Sequence, residues 1–112
     1  MRVELRVRNT DLADAMRGYI EQRLGVELGR FGEQVGRVRV KVAGLNGSRG
    51  GTKRSCHISV DMIPFGRAAV QEVDLDLHAA IDRAAGRVGR LLGQRLEKLL
   101  ETNFRSETAL AA

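Results

Sequence analysis

The sequence contains little that would support disulfide, metal or membrane chemistry. Its 112 residues include one cysteine and no tryptophan, and a lone thiol excludes both a disulfide framework and a zinc site built on several cysteines. No apolar run approaches the roughly 18 residues that a membrane helix requires, and the first residues lack the pattern of a signal peptide. We therefore expect a cytoplasmic protein with no metal, no cofactor and no membrane contact.

The residues that are present are typical of one small, cationic, globular domain. Hydrophobic residues make up 43% of the chain and charged residues 29%, which is enough for a single modest core. The net charge is +5, and most of the cations are arginine, whose planar fork binds phosphate well. Phosphate-rich partners are therefore favoured.

Strict alternation of apolar and polar residues predicts three strands, near residues 2–8, 38–42 and 56–62. A fourth strand near 67–73 alternates poorly, which indicates a bulged or an edge strand. The outward positions of the first three strands are mostly basic, and we expect them on an exposed sheet face: Arg2, Arg6, Arg8, Arg37, Arg39, Lys41 and His57.

Apolar residues at three- and four-residue steps predict helices near residues 11–28 and 77–100. The order β-α-β-β-β-α predicts an α+β domain with a four-stranded mixed sheet and both helices packed on one face. Because a helix joins the first two strands, these strands should be parallel. We expect one domain over residues 1–101 and a flexible tail over 102–112.

The second helix carries a basic stripe beside its apolar one. Arg83, Arg87, Arg90 and Lys98 lie about 120° around the helix from the centre of the apolar stripe. This stripe is either a surface for a polyanion or an ordinary solvated face.

Two groups of glycines also bear on the predicted structure. Three lie on one flank of the second helix, where packing against the first helix is favoured over the approach of an RNA backbone: Gly86, Gly89 and Gly93. The glycine-rich segment 44–52 lacks the strand–loop–helix setting of a phosphate-binding P-loop. It is typical of a mobile hairpin loop.

Convergent catalytic groups are scarce. Cys56 and His57 are neighbours on a predicted strand, so their side chains should point to opposite faces and cannot share a proton. His78 has no partner close in sequence. A small enzyme is therefore the weakest of three hypotheses.

The few aromatic residues argue against base stacking. The first three predicted strands contain no phenylalanine, tyrosine or tryptophan, whereas RNA recognition motifs stack bases on strand aromatics. Contact with RNA would then run through arginine and lysine to the backbone, which reads shape more than sequence.

Over about residues 1–100 the chain resembles the short ribosome hibernation promoting factors of the ribosome-associated inhibitor type. The most specific piece is the run Asp-Leu-His-Ala-Ala-Ile-Asp at residues 76–82, similar to the family's signature at the start of its last helix. His78 stands where the family has tyrosine, and the family's acidic run before this helix is reduced to Asp74 and Asp76.

The resemblance implies binding to the small ribosomal subunit and its 16S rRNA, in the decoding region where mRNA and the A- and P-site tRNAs lie. It implies a monomer that takes no small-molecule substrate, blocks translation and preserves idle ribosomes under stress. The predicted contacts to rRNA lie on the helices: Arg23, Arg30, His78, Arg83, Arg87, Arg90, Arg95 and Lys98.

A general RNA-binding accessory module is the alternative hypothesis. It would use the basic sheet face and the hairpin loop, because residues 32–54 hold six cations and one acid. The secondary set of predicted RNA contacts is Arg37, Arg39, Lys41, Arg49, Lys53 and Arg54.

Overall fold

The computed structural model describes residues 2–8, 13–45, 53–64 and 66–111, with only the backbone for residues 13, 14 and 103–111. Its elements are β1 (Val3–Arg8), α1 (Ala13–Leu28), a 3₁₀ segment (Gly29–Gln34), β2 (Val35–Leu45), β3 (Lys53–Met62), β4 (Gly66–Asp74) and α2 (Leu77–Ala111). The predicted order β-α-β-β-β-α is confirmed. The hairpin tip at residues 46–52, which includes Arg49, lies outside the described residues.

The four strands form one mixed sheet in the order β1-β2-β3-β4. β1 is parallel to β2, and the other two pairs are antiparallel, as the sequence order predicts.

β4 is an edge strand, but it is not bulged. It pairs with β3 in continuous register from Gly66 to Asp74, whereas the only register shift described lies in β2, between Val35 and Val38. The poor alternation of β4 has a simple cause. Ala68 faces the core and Ala69 faces outward, so two residues of equal hydropathy occupy opposite faces. Of the two alternatives that the sequence left open for this strand, the edge strand is confirmed.

A single hydrophobic core lies between the sheet and the two helices. From α2 it takes Leu77, Ile81, Ala84, Val88 and Leu92, and from α1 it takes Ile20, Leu24 and Leu28. The inward positions of the central strands complete it: Val38, Val40, Val42, Cys56, Ile58, Val60 and Met62. Because one cluster joins residues of both helices to one sheet face, both helices pack on that face.

Aspartates set the start of α2. The backbone N–H of His78 donates to Oδ1 of Asp76 at 3.0 Å, so Asp76 is the N-cap. The Asp76 N–H in turn donates to Oδ1 of Asp74 at 2.9 Å. These bonds fix the start of the long helix directly after Asp76.

The far end of α2 continues past the predicted domain boundary. The backbone of residues 102–111 is helical, and Thr102 donates its hydroxyl to the Lys98 carbonyl oxygen at 2.9 Å. The flexibility of this tail stays a prediction.

Two of the three glycines on the flank of α2 are sites of close packing. A Cβ at Gly89 would lie 2.6 Å from Oε2 and 3.3 Å from Cβ of Glu27 in α1, and one at Gly93 would lie 2.6 Å from Nη2 of Arg30. At Gly86 the nearest atom would be Nη1 of Arg90, at 3.6 Å. Gly89 and Gly93 therefore let α2 approach α1 and the 3₁₀ segment.

We predict that Ile81→Ala destabilises the fold by about 2–5 kcal/mol, because it removes a large side chain from a filled core. Ile81 is only 1% exposed. Urea unfolding measures the loss of free energy, with Val26→Ala as the control, because Val26 is 71% exposed on α1. Equal stability losses in the two variants would contradict the described core.

The helix glycines give a matched pair of predictions. Gly86→Ala should stabilise the protein by about 0.5–1 kcal/mol, the usual gain from alanine in a helix. Gly89→Ala should lose this gain or destabilise the fold, because its Cβ would displace Glu27 from a pair with Arg23 at 2.9 Å. Thermal unfolding of both variants tests the difference, and equal gains would show that α1 does not pack this closely.

Candidate nucleic-acid interface

A groove between α1, α2 and β4, here called the helix groove, brings together four of the arginines predicted to bind RNA. Its volume is about 420 Å³. Its charged lining is Arg23, Arg83, Arg87 and Arg90, with Glu27, Glu72 and Asp82 as the carboxylates. Four cations against three anions leave one net positive charge on this lining.

Arg83 and Arg87 are anchored to acids of β4. Arg83 donates to Oδ2 of Asp74 at 2.8 Å, and Arg87 donates to Oε1 of Glu72 at 2.7 Å. The hydrogen bond from Arg87, and then that from Arg83, holds the pKa of the Glu72 carboxyl below its ordinary value. Both arginine side chains remain about half exposed, so they can still meet a ligand.

Arg90 differs from these two arginines. It is exposed and, within the part of the chain that the structure describes, its side chain has no ion-pair or hydrogen-bond partner. Arg87 also keeps free donors, because its bonds to Gln71 and Glu72 both use Nη1. Arg87 and Arg90 are therefore the arginines of the helix groove with the most unused donor capacity.

A hydrogen-bond network closes one end of the groove and ties α1 to α2. The Tyr19 hydroxyl donates to Oδ1 of Asp82, and Nε of Arg23 donates to the same oxygen at 3.1 Å. These bonds, with that from Tyr19 the larger cause, hold the pKa of the Asp82 carboxyl below its ordinary value. The His78 ring lies 3.9 Å from the Tyr19 ring, centroid to centroid, so His78 supports this network.

The remaining predicted helix contacts lie apart from the helix groove. Arg30 donates to the Gly89 carbonyl oxygen at 3.3 Å and lies 4.7 Å over the Phe31 ring. Arg95 donates to the Arg67 carbonyl oxygen at 2.8 Å. Lys98 is exposed farther along α2. Arg30 and Arg95 therefore already have hydrogen-bond partners within the protein.

The secondary set of predicted RNA contacts does not form one surface. Arg37 and Arg39 both pair with Glu4, at 3.3 and 3.8 Å. Arg54 donates to the Leu75 carbonyl oxygen at 3.0 Å. Lys53 is exposed at the start of β3, and Lys41 is exposed in the middle of β2.

The face of the sheet opposite the helices contains a second concave surface, here called the sheet trough, of about 500 Å³. Arg6, Arg8, Lys41 and His57 line it together with the small residues Ala43 and Ser55. Among the described residues that line it there is no carboxylate.

The cysteine and histidine of β3 do not form a catalytic pair. Cys56 is fully buried on the helix side, and burial raises the pKa of its thiol to about 12. His57 lines the sheet trough on the opposite face. Within the described ranges, no group of three or more histidine, cysteine and acidic residues could hold a metal ion, and no helix is long and apolar enough to cross a membrane.

Sequence reasoning missed the acids that organise the helix groove. Glu72 is an edge-strand residue opposite Cys56 in the register of β3 and β4, and nothing in its local pattern links it to Arg87, 15 positions away. The bond from the Tyr19 hydroxyl to Asp82 was likewise not predicted. The position of Tyr19 on the apolar stripe of α1 was the available signal.

Comparisons with known proteins agree with this architecture. Residues 3–100 match the family model described as sigma 54 modulation protein / S30EA ribosomal protein. The N-terminal domain of Thermus thermophilus Protein Y is 29% identical, with a TM-score of 0.68 over 84% of this chain and 98% of that chain.

A ribosomal subunit interface protein from Coxiella burnetii has the same fold at 14% identity, with a TM-score of 0.66 over 84% of this chain and 96% of that chain. No match was found among curated proteins. The family match confirms the resemblance that the sequence indicated.

The Asp82 network gives a pH-dependent prediction. Because the folded-state pKa of Asp82 is lowered, its stabilising effect is present above the ordinary aspartate pKa of about 3.9 and is lost as the pH falls through the lowered value. Asp82→Asn should therefore destabilise the protein at pH 7 and much less at pH 2.5. Urea unfolding at both pH values measures this, with Glu33→Gln as the control, and an equal cost at both would contradict an ionic role for Asp82.

Proposed function

This chain belongs to the sigma 54 modulation protein / S30EA ribosomal protein family, and on that basis we propose that it binds the small ribosomal subunit at the decoding region. The family consists of ribosome-associated factors and is not enzymatic. In the proposed complex the protein occupies the space of mRNA and of the A- and P-site tRNAs. Translation stops, and the idle ribosome is preserved in the cytoplasm.

The observation that carries the proposal is the convergence of four arginines from two helices on one groove. α2 is held by a packed core, so its arginines keep a fixed spacing. The ion pairs with Glu72 and Asp74 further restrict Arg83 and Arg87. Guanidinium groups that are already oriented lose less entropy when they bind phosphate, which favours one arrangement of rRNA over many.

The ion pairs of Arg83 and Arg87 also determine which substitutions can test the helix groove. Replacing Arg83 or Arg87 by glutamate would place a third carboxylate beside Glu72 and Asp74, and repulsion would then perturb the folded protein itself. Glutamine removes the positive charge without adding a negative one. Arg87 and Arg90 are the suitable pair, because they have the most free donors.

We predict that Arg87→Gln/Arg90→Gln weakens binding to the small subunit and flattens its salt dependence. Each lost phosphate contact should reduce the slope of log K against log salt by about 0.7–0.9. Dissociation should accelerate more than association slows, because contacts made after docking act mainly on the dissociation rate. Binding kinetics on immobilised small subunits measure both rates.

The matched control is Arg37→Gln/Arg67→Gln, which removes the same two charges from the sheet. Arg37 pairs with Glu4, and Arg67 pairs with Asp61 at 2.9 Å. The control should bind nearly as the wild type does. Equal losses in the two double variants would show that net charge, not the helix groove, governs binding.

Competition locates the site on the subunit. Small subunits that already carry mRNA and tRNAs in the A and P sites should no longer co-sediment with the protein. Undiminished co-sedimentation would exclude the decoding region. If the protein binds free RNA as tightly as it binds the subunit, the alternative of a general RNA-binding module is the correct one.

A further inference from the structure

We propose that the sheet trough is a second site for an RNA backbone, separate from the helix groove. The choice of RNA rests on the ribosome association of the family, but the proposal does not depend on binding at the decoding region. It assigns a role to Arg6, Arg8 and Lys41, which the helix groove does not use.

The first argument is that the positive charge in the trough is not compensated. Arg6 lies opposite Lys41 in the register of β1 and β2, and Lys41 lies opposite His57 in that of β2 and β3. The side chains of Arg6, Lys41 and His57 thus stand in one row across three strands that are spaced about 4.8 Å apart. Like charges directly opposite each other destabilise a sheet, so the Arg6 and Lys41 pair is unfavourable without an anion.

The contrast with the other end of the same face supports this argument. There Glu4 pairs with Arg37 and Arg39, and Asp61 pairs with Arg67. Over the described ranges, Arg6, Arg8 and Lys41 have no such partners. Among the described residues, the open face is therefore divided into a half whose arginines are paired with acids and a half whose cations are not.

The second argument is the shape of the trough. Ala43 and Ser55 occupy paired positions on β2 and β3, beside the basic row. Ser55 faces away from the helices and is 5% exposed. Small residues at the base of the trough let a chain of phosphates approach closely. The arginines at its edge can then donate paired hydrogen bonds to the phosphates.

The residues of the trough indicate what part of the nucleic acid is bound. The described positions of β1, β2 and β3 include no phenylalanine, tyrosine or tryptophan, so among the described residues of the trough His57 is the one ring on which a base could stack. Contacts therefore go mainly to phosphates, without selection of sequence. A protein with such a second site can hold one RNA segment at the helix groove and another at the sheet.

The test uses free RNA, so that its outcome is independent of the ribosome proposal. We compare Arg6→Gln/Lys41→Gln with Arg37→Gln/Arg67→Gln, which removes the same charge from the half whose arginines are paired with acids. Fluorescence anisotropy with a short oligouridylate should show a loss of about tenfold or more at 0.1 M salt for the trough variant, and a salt slope reduced by about 1.4. The control should change little, and equal changes in the two variants would overturn the proposal.

Thermal stability provides a second test, because a role in RNA binding and a role in the fold predict different shifts of the unfolding midpoint. If Arg6 and Lys41 served the fold, removing them would lower the midpoint of thermal unfolding. Because they repel each other in the free protein, the trough variant should unfold at the same or a higher temperature. A lower midpoint would assign these residues to the fold and contradict the site.

Direct mapping on the wild type needs no variant. Titration with the oligouridylate should shift the backbone amide signals of Lys41, Ala43, Ser55 and His57 before those of Gly86 and Arg90. Shifts confined to α2 would place free RNA in the helix groove and overturn the proposal. Competition by polyglutamate as effective as that by RNA would show that the trough prefers acidic polypeptides, which also contradicts it.

Discussion

Burial of the apolar stripe of α2 against the sheet is the interaction on which the rest of this structure depends. Ile81, Val88 and Leu92 are almost completely buried, and burying each such side chain contributes about 1.5–3 kcal/mol. The same contacts fix the rotation of the helix about its axis. Once that rotation is set, Arg83, Arg87 and Arg90 must face the groove beside β4, and Gly89 must face α1.

The position of β4 at the edge of the sheet determines which arginines form ion pairs with carboxylates. Its acids reach the arginines of α2, so the helix groove is a partly neutralised surface with oriented guanidinium groups. On the opposite face, Glu4 and Asp61 pair with arginines at one end, whereas Arg6, Arg8 and Lys41 form no ion pair among the described residues. One cationic surface is thus ordered by ion pairs, and the other is not.

Periodicity predicted most of the architecture, because strands and helices of this protein are each buried on one side. The alternation in β1, β2 and β3 and the stripe of α2 identify the elements, their order and the sheet face that meets the helices. The alternation is weak in β4, where Ala68 and Ala69 lie on opposite faces, so the sequence left open whether this strand is bulged or an edge strand. Periodicity also could not show which sheet cations are paired: Arg37 and Arg39 pair with Glu4, whereas Arg6 has no such partner among the described residues.

The sequence by itself determined the fold class, the cationic character and the family. These properties depend on composition, local periodicity and a short motif, all of which can be observed without knowing which residues meet. Only the tertiary structure decided which arginines are available to a ligand. Glu72 meets Arg87 across 15 positions, and Tyr19 meets Asp82 across 63. Such pairs depend on strand register and helix rotation, which side-chain packing sets and linear spacing does not.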